Sequence, residues 1–438
     1  MGAMILRSGT TSVYLQDRHH VTEKTIAAGL VLPNLARSVA EEHLAELTKL
    51  IESAGGEVVA QILAKRPSPD PATFIGSGKA EEVKRLAEHH AATLIVFDDD
   101  LSPAQVRNLE KVIGVKVIDR SALILDIFAG RARSREARTQ VELAQLEYTL
   151  PRLTRAWSHL ERQAGGIGTR GVGETQLELD RRIIRTRIAK LKDDLEHIER
   201  TRLTQRKSRA GAYTVALVGY TNAGKSTLFN RLTRGGAEAV DKLFATLDSK
   251  TQRIAYEMPR ETVVVDTVGF IRKLPHHLVA SFRSTMEEAV AADLVLHVID
   301  GSHPQFEDQQ AIGEQVLADL GVDRDKILEV YNKFDLAQTS QHWFPEARRA
   351  NAVAVSALTG HGIERLIEMI RDRELEGGAV MHLEIPHAES RLAARLHEVA
   401  EVYEQRQGEE ATAFTAWVPR EFVHLFEAHA QKVRRVAV

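Results

Sequence analysis

The run Gly219-Tyr220-Thr221-Asn222-Ala223-Gly224-Lys225-Ser226 constrains this chain more than any other stretch. It fits the pattern G-x-x-x-x-G-K-[ST], between a strand-like run from Tyr213 to Val218 and a helix-like run from Thr227 to Thr233. A strand delivers such a loop, its glycines let backbone N–H groups curl around phosphate oxygens, and the N-terminus of the following helix adds a favourable dipole. Lys225 is then expected to reach the β- and γ-phosphates, and the Ser226 hydroxyl to ligate Mg²⁺. The fold class that accommodates this loop is α/β.

A chain of 438 residues is too long for one core. We expect four parts: an N-terminal α/β domain over 1–133, an antiparallel helical hairpin with a glycine-rich tip over 134–209, a nucleotide-binding domain over 210–376, and a small C-terminal α/β domain over 377–438. No apolar run is long enough to cross a membrane and no secretory signal opens the chain, so a cytoplasmic protein is expected. The absence of cysteine excludes disulfides and thiolate metal sites. A net charge of −3 gives no global sign of nucleic-acid binding, so any such footprint must be local.

In the first part, Gly56 to Leu63, Thr93 to Phe97 and Val115 to Ile118 read as strands. Ser38 to Ala54, Lys79 to His90 and Ser102 to Ile113 read as helices, which predicts a largely parallel sheet. Gly76-Ser77-Gly78-Lys79 imitates a second phosphate loop, but Thr73 and Ala80 stand where a glycine and a hydroxyl are needed. A strand-to-helix turn is the plainer expectation. Asp98-Asp99-Asp100 fits either a metal site or a solvated helix-capping turn, and we expect the latter.

From Ser134 the pattern changes to long helices. Leu177, Ile184, Leu191 and Ile198 recur every seven residues with Ile188 and Leu195 between them, the seam of a coiled coil on a helix from Thr175 to Lys207. Its expected antiparallel partner is Arg135 to Gln163, disturbed at Pro151. Between them lies a tip with Gly165, Gly166, Gly168, Arg170, Gly171 and Gly173, able to press its backbone close to a ligand. Arg181, Arg182 and their neighbours give the stretch Arg181 to Arg209 a net charge of +7, which fits contact with a phosphate backbone.

The remaining nucleotide motifs follow in order. Phe244-Ala245-Thr246-Leu247-Asp248 is loop-like, with Thr246 as the hydroxyl that closes on Mg²⁺ and the γ-phosphate. After the strand-like Val263 to Val265 comes Asp266-Thr267-Val268-Gly269, where Asp266 serves the Mg²⁺ shell and the Gly269 N–H senses the γ-phosphate. Asn332-Lys333-Phe334-Asp335 ends a strand-like run. The Asp335 carboxylate can accept from guanine N1–H and its amine, a donor pair adenine lacks, so GTP and GDP are the expected nucleotides. Ser356-Ala357-Leu358 offers the Ala357 N–H to guanine O6. Thr227 completes the predicted binding set, and Lys225, Thr246 and Gly269 are the candidate catalytic residues. Phe270 stands where many GTPases carry a glutamine that orients the attacking water, so slow intrinsic hydrolysis is expected.

The glycine-rich tip, the following Glu174-Thr175-Gln176-Leu177-Glu178 and Asp180-Arg181-Arg182, and the Asp266-Thr267-Val268-Gly269-Phe270 motif resemble the HflX family of ribosome-associated GTPases. The resemblance runs from about Thr25 to Asp372. It implies a factor that binds the large ribosomal subunit, splits stalled or idle 70S ribosomes under stress, and hydrolyses GTP when the ribosome stimulates it; a monomer is the separate expectation for the chain. The tip would then point at ribosomal RNA. In similar GTPases an asparagine at the Asn222 position helps hold K⁺. Two other readings stay open: a regulatory GTPase acting through a protein partner, and an RNA-remodelling NTPase. In the tail, Ala379 to Ile385 and Thr412 to Trp417 read as strands and Ser390 to Gln405 as a helix.

Overall fold

The computed structural model describes residues 22–154, 176–207, 212–235, 244, 249–273, 288–337 and 350–434. It divides into two compact units. One comprises Met1–Thr201 with Asp241–Asp248 and Arg272–Arg283; the other holds the rest. The first unit has a four-stranded parallel sheet and a helical region, and the second has a six-stranded P-loop sheet followed by a C-terminal sheet.

In the first unit, β1 (Lys24–Val31), β2 (Glu57–Lys65), β3 (Leu94–Phe97) and β4 (Lys116–Asp119) pair in the order β2-β1-β3-β4, all parallel. The helices are α1 (Arg37–Ser53), α2 (Ser77–His90), α3 (Pro103–Ile113) and α4 (Arg120–Arg131). Alternation along β1 sends Ile26, Ala28 and Leu30 into a core with Val83 of α2 and Leu109 of α3. A Cβ at Gly29, on the other face, would stand 2.9 Å from the Leu63 side chain of β2. Helix α3 begins where expected: the Ser102 hydroxyl accepts the Gln105 N–H and the Gln105 side chain accepts the Ser102 N–H, with Pro103 in the first turn. Gly76 to Lys79 is the expected turn into a helix, with Gly76 preceding α2 and Lys79 paired to Glu82 within it.

Helix α5 (Arg135–Thr149) is capped by Ser134 and gives way to a 3₁₀ turn, Leu150–Thr154, that contains Pro151. Helix α6 runs Gln176–Lys207. Its predicted seam is real: Leu191 is buried and Ile184, Ile188, Leu195 and Ile198 are half-buried, while their neighbours are mostly exposed. The expected pairing with α5 is corrected. Glu142 pairs with Arg187 and Glu147 with Lys192, a ladder that climbs in the same sense along both helices. An antiparallel arm would pair them in the crossed order, so α5 is not that arm. Residues 155–175, with the whole glycine-rich tip, lie outside the described residues.

In the second unit, β5 (Tyr213–Gly219), β6 (Lys250–Arg253), β7 (Thr262–Asp266), β8 (Leu294–Asp300), β9 (Ile327–Asn332) and β10 (Ala352–Ala354) form a sheet in the order β10-β9-β8-β5-β7-β6. All neighbours are parallel except β6, antiparallel to β7. Helix α7 (Lys225–Thr233) follows β5 and packs Leu228, Phe229 and Leu232 into the core.

The C-terminal sheet joins β11 (Gly378–Pro386), β12 (Glu401–Gln407), β13 (Ala411–Pro419) and β14 (Ala430–Arg434) in the antiparallel order β12-β13-β11-β14. With helices Ser390–Val399 and Val423–Phe426 between strands, the chain order is βαββαβ, a ferredoxin-like arrangement. The helix expected over Ser390 to Gln405 is corrected here. It stops at Val399, and Glu401–Gln407, rich in good helix formers, is held as a strand by pairing with β13.

Candidate functional site

The predicted nucleotide motifs gather at the C-terminal ends of parallel strands, where doubly wound sheets place their ligands. The loop Gly219 to Ser226 leaves β5, Asp266 ends β7, Asn332 ends β9, and Ser356 follows β10. Two glycines of the loop are required by close approach. A side chain at Gly219 (φ +147°) would run into the Val298 carbonyl, and one at Gly224 (φ +91°) into the Asn332 amide. Asn222 is exposed and takes a left-handed conformation, φ +63°, that suits few residues besides glycine and asparagine.

Lys225 is buried and donates from Nζ to the carbonyls of Gly219 at 3.0 Å and Tyr220 at 2.8 Å. Burial lowers its pKa to about 8, against the opposing pull of Asp266. Behind it His297 is buried on β8. Burial first, and then the Lys225 charge, push the imidazole down to about 4, so it is neutral at pH 7. Gly313 carries no side chain against that ring, and any Cβ there would strike it.

The Ser226 hydroxyl donates to Asp266 Oδ2 at 2.9 Å, and Thr267 anchors the strand end by donating its hydroxyl to the Leu217 carbonyl at 2.7 Å. Two hard oxygens brought together in this way suit a magnesium ion. The segment after Asp266 lies along the phosphate loop. The Phe270 N–H donates to the Gly219 carbonyl at 2.9 Å and the Thr221 N–H to the Phe270 carbonyl at 2.7 Å. A Cβ at Gly269 would stand 2.8 Å from Lys225 Nζ, which places Gly269 beside the Lys225 amine. Val268 and Phe270 are buried.

The predicted base-reading motifs meet at Asn332 and Ser356. Asn332 Nδ2 donates to the Ala223 carbonyl at 2.8 Å, and Asn332 Oδ1 accepts the Ala357 N–H at 2.9 Å, tying the phosphate loop to the pocket. The Ser356 hydroxyl donates to Asp335 Oδ1 at 2.6 Å and orients that carboxylate. Lys333 pairs with Asp300 at 2.7 Å, Phe334 stacks on His361 with ring planes 10° apart, and Leu358 is exposed. Asp300, His361 and Arg231, whose Nε donates to the Ala357 carbonyl, escaped the sequence reading because each supports a motif from outside it.

Thr227 follows Ser226 in the first turn of α7. Phe244 is described and buried, in the first unit, whereas Ala245 and Thr246 lie outside the described residues. So do Gly165, Gly166, Gly168, Arg170, Gly171 and Gly173; Arg181 and Arg182 lie on α6, the latter exposed. The acidic run after β3 is corrected. Asp98 is not a solvated cap but is buried against Arg120, whose Nη1 donates to Oδ1 at 2.7 Å, while Asp100 accepts from Ser121. Capping of α4 falls to Asp119, which accepts the Ala122 N–H. Among the described residues no cluster of three metal-binding side chains occurs, and no helix is long and apolar enough to cross a membrane.

Family models described as GTP-binding GTPase N-terminal, GTP-binding GTPase Middle Region, and 50S ribosome-binding GTPase match residues 41–129, 131–209 and 214–333. A protein of Magnetococcus marinus named GTPase HflX is 46% identical over 401 residues, covering 90% of this chain and 92% of its own. Its namesake in Escherichia coli is 45% identical over 376 residues, covering 85% and 88%. A GTP-binding protein of Sulfolobus solfataricus, solved with GDP, is 25% identical and covers 80% of this chain and 99% of its own, with a TM-score of 0.43. With a phosphate-loop motif and relatives of this identity over nearly their whole length, the chain is a GTP-hydrolysing enzyme that belongs to the HflX family of GTPases.

Proposed function

We propose that this GTPase acts on the large ribosomal subunit and dissociates stalled or idle 70S ribosomes under stress, with hydrolysis stimulated by the ribosome. The observation that carries the reading is the match of residues 214–333 to a family model described as a 50S ribosome-binding GTPase, in a chain whose α6 gathers positive charge. Arg181 and Arg182 would contact ribosomal RNA near the start of α6, with the glycine-rich tip ahead of them. Contacts of this kind weaken as salt rises. The chain works as a monomer in the cytoplasm on this reading.

In the site, Lys225 binds the β- and γ-phosphates, the backbone N–H groups of Tyr220 to Thr227 hold the phosphate oxygens, and the Gly269 N–H reads the γ-phosphate. Asp335 and the Ala357 N–H select guanine. Ser226, Asp266 and Thr246 would hold Mg²⁺, which supplies charge stabilisation of the transferred phosphoryl group. Asn222 is the candidate K⁺ ligand. Phe270 cannot orient water, so a polar group must be supplied or rearranged when the ribosome binds.

The test is GTP turnover with and without purified large subunits, with Lys225→Ala as the blank. Strong stimulation supports the reading. Normal GTP binding without stimulation would turn it toward a GTPase acting through a protein partner.

A further inference from the structure

Helix α7 begins at Lys225 and, six residues on, carries Arg231. Leu228, Phe229 and Leu232 of this helix are buried in the core of the P-loop sheet, so it cannot slide or turn without breaking that packing. Arg231 is half-buried and reaches the loop that follows β10. Its Nε donates to the Ala357 carbonyl at 3.0 Å and its Nη2 to the Leu358 carbonyl. Two charge-assisted bonds from one planar fork fix direction as well as distance. The rest of the loop closes on itself. The Ser356 N–H donates to the His361 carbonyl at 2.9 Å, the Gly360 N–H to the Ser356 carbonyl at 2.8 Å, and the Thr359 N–H to Ser356 Oγ at 3.1 Å. Ala357 is therefore gripped on both sides, its N–H by Asn332 Oδ1 at 2.9 Å and its carbonyl by Arg231.

We propose that Arg231 is a positioning residue for guanine recognition: it holds the Ala357–Leu358 peptide so that the amide offered to guanine O6 stands at a fixed distance from the phosphate loop. Peptide units are planar, so a guanidinium that fixes a carbonyl fixes the whole plane that carries it. Arg231 sets the plane after the Ala357 α-carbon and Asn332 sets the plane before it, which leaves little freedom at the residue that reads the base. When guanine binds, the Ala357 N–H is shared between Asn332 and O6 in a three-centre bond. The helix rises 1.5 Å per residue, so Arg231 stands about 9 Å along its axis from Lys225, and both ends of the nucleotide are measured off one rigid element. Leu358, 71% exposed, adds little packing to hold the loop. Without the guanidinium the ligand itself would have to order the loop, at the expense of affinity.

The inference rests on the Ala357 N–H as the reader of O6, so the experiment separates the two. Affinities for GDP, for 6-thio-GDP, whose sulfur is a poor acceptor in place of O6, and for IDP, which keeps O6 and lacks the amine that Asp335 accepts, are measured at pH 7 on the full chain by calorimetry. The parent chain is expected to favour GDP over 6-thio-GDP about tenfold, the size of one hydrogen bond. Arg231→Met, which keeps the stem and removes the fork, is expected to weaken GDP and IDP alike by about that factor and to leave 6-thio-GDP unchanged, so that the gap at O6 closes while the preference for GDP over IDP stays. Arg231→Lys, which keeps a cationic donor, is expected to retain part of the gap. Equal loss for all three nucleotides, no loss for any, or a collapse of the preference for GDP over IDP would each overturn the positioning role. If the parent chain prefers GDP to IDP but does not distinguish GDP from 6-thio-GDP, the assignment of O6 to Ala357 falls, and the role of Arg231 with it. If the parent chain distinguishes them and Arg231→Met still does, only the role of Arg231 falls.

Discussion

Two parallel sheets in this chain end in charged loops, and they use those ends in opposite ways. At the end of the N-terminal sheet the space is filled from within: Asp98 and Glu46 are neutralised by Arg120, and Asp119 accepts from Tyr148 and Arg152. At the end of the P-loop sheet, backbone carbonyls hold Lys225, and Asp335 keeps one oxygen oriented by Ser356. The same architecture becomes structural where opposite charges close on each other, and becomes a binding site where amides, an amine and a carboxylate are arranged for a ligand. Charge content alone does not distinguish them. Which partners the charges already have does.

Removing one partner from the closed end should produce the largest effect on stability. Arg120→Met removes the buried cation that Asp98 and Glu46 share and leaves them only the contacts of Arg272 and Lys273, so a loss of about 3 kcal/mol is expected, read as a fall in the first thermal transition. At the open end Asp335→Ala removes two charge-assisted bonds to the base. GTP affinity should drop about a hundredfold, with GTP no longer preferred over ITP, which lacks the exocyclic amine. Unfolding midpoints should scarcely move.

His297 sharpens the comparison from a third side. A histidine held near 4 in the folded chain and near 6.5 when unfolded makes the unfolded chain bind the extra proton. Stability is then full above pH 6.5 and declines as pH falls toward 4, by ~3 kcal/mol in all. His297→Gln should flatten that decline in acid unfolding curves. The smallest effect concerns Lys225, whose amine is lowered to about 8 by burial. Nucleotide phosphates favour its charged form, so affinity should be level below pH 8 and weaken at most about tenfold per unit above it, measured by titration calorimetry.

Much of the open end was legible because its chemistry is written in contiguous motifs. Gly219 to Ser226 and Asn332 to Asp335 each carry their own strand, turn and functional group in a few residues. The closed end was not, since Asp98 finds Arg120 twenty-two positions on, and Arg120 in turn finds Glu46 on another helix. Read alone, three acids in a row look solvated. The strand Glu401–Gln407 failed for a related reason: its residues favour a helix, and only pairing with Ala411–Pro419 holds them extended. The relative sense of α5 and α6 was equally hidden, because a heptad seam marks a buried face without saying which way its neighbour runs.

The most direct test of one open and one closed sheet end is the stoichiometry and base preference of nucleotide binding to the full chain, by calorimetry with GTP, GDP and ATP. We expect one guanine nucleotide per chain, abolished by Lys225→Ala, and no ATP binding with or without that substitution. A second bound nucleotide, or ATP binding that survives Lys225→Ala, would contradict the account and place a nucleotide site in the N-terminal domain.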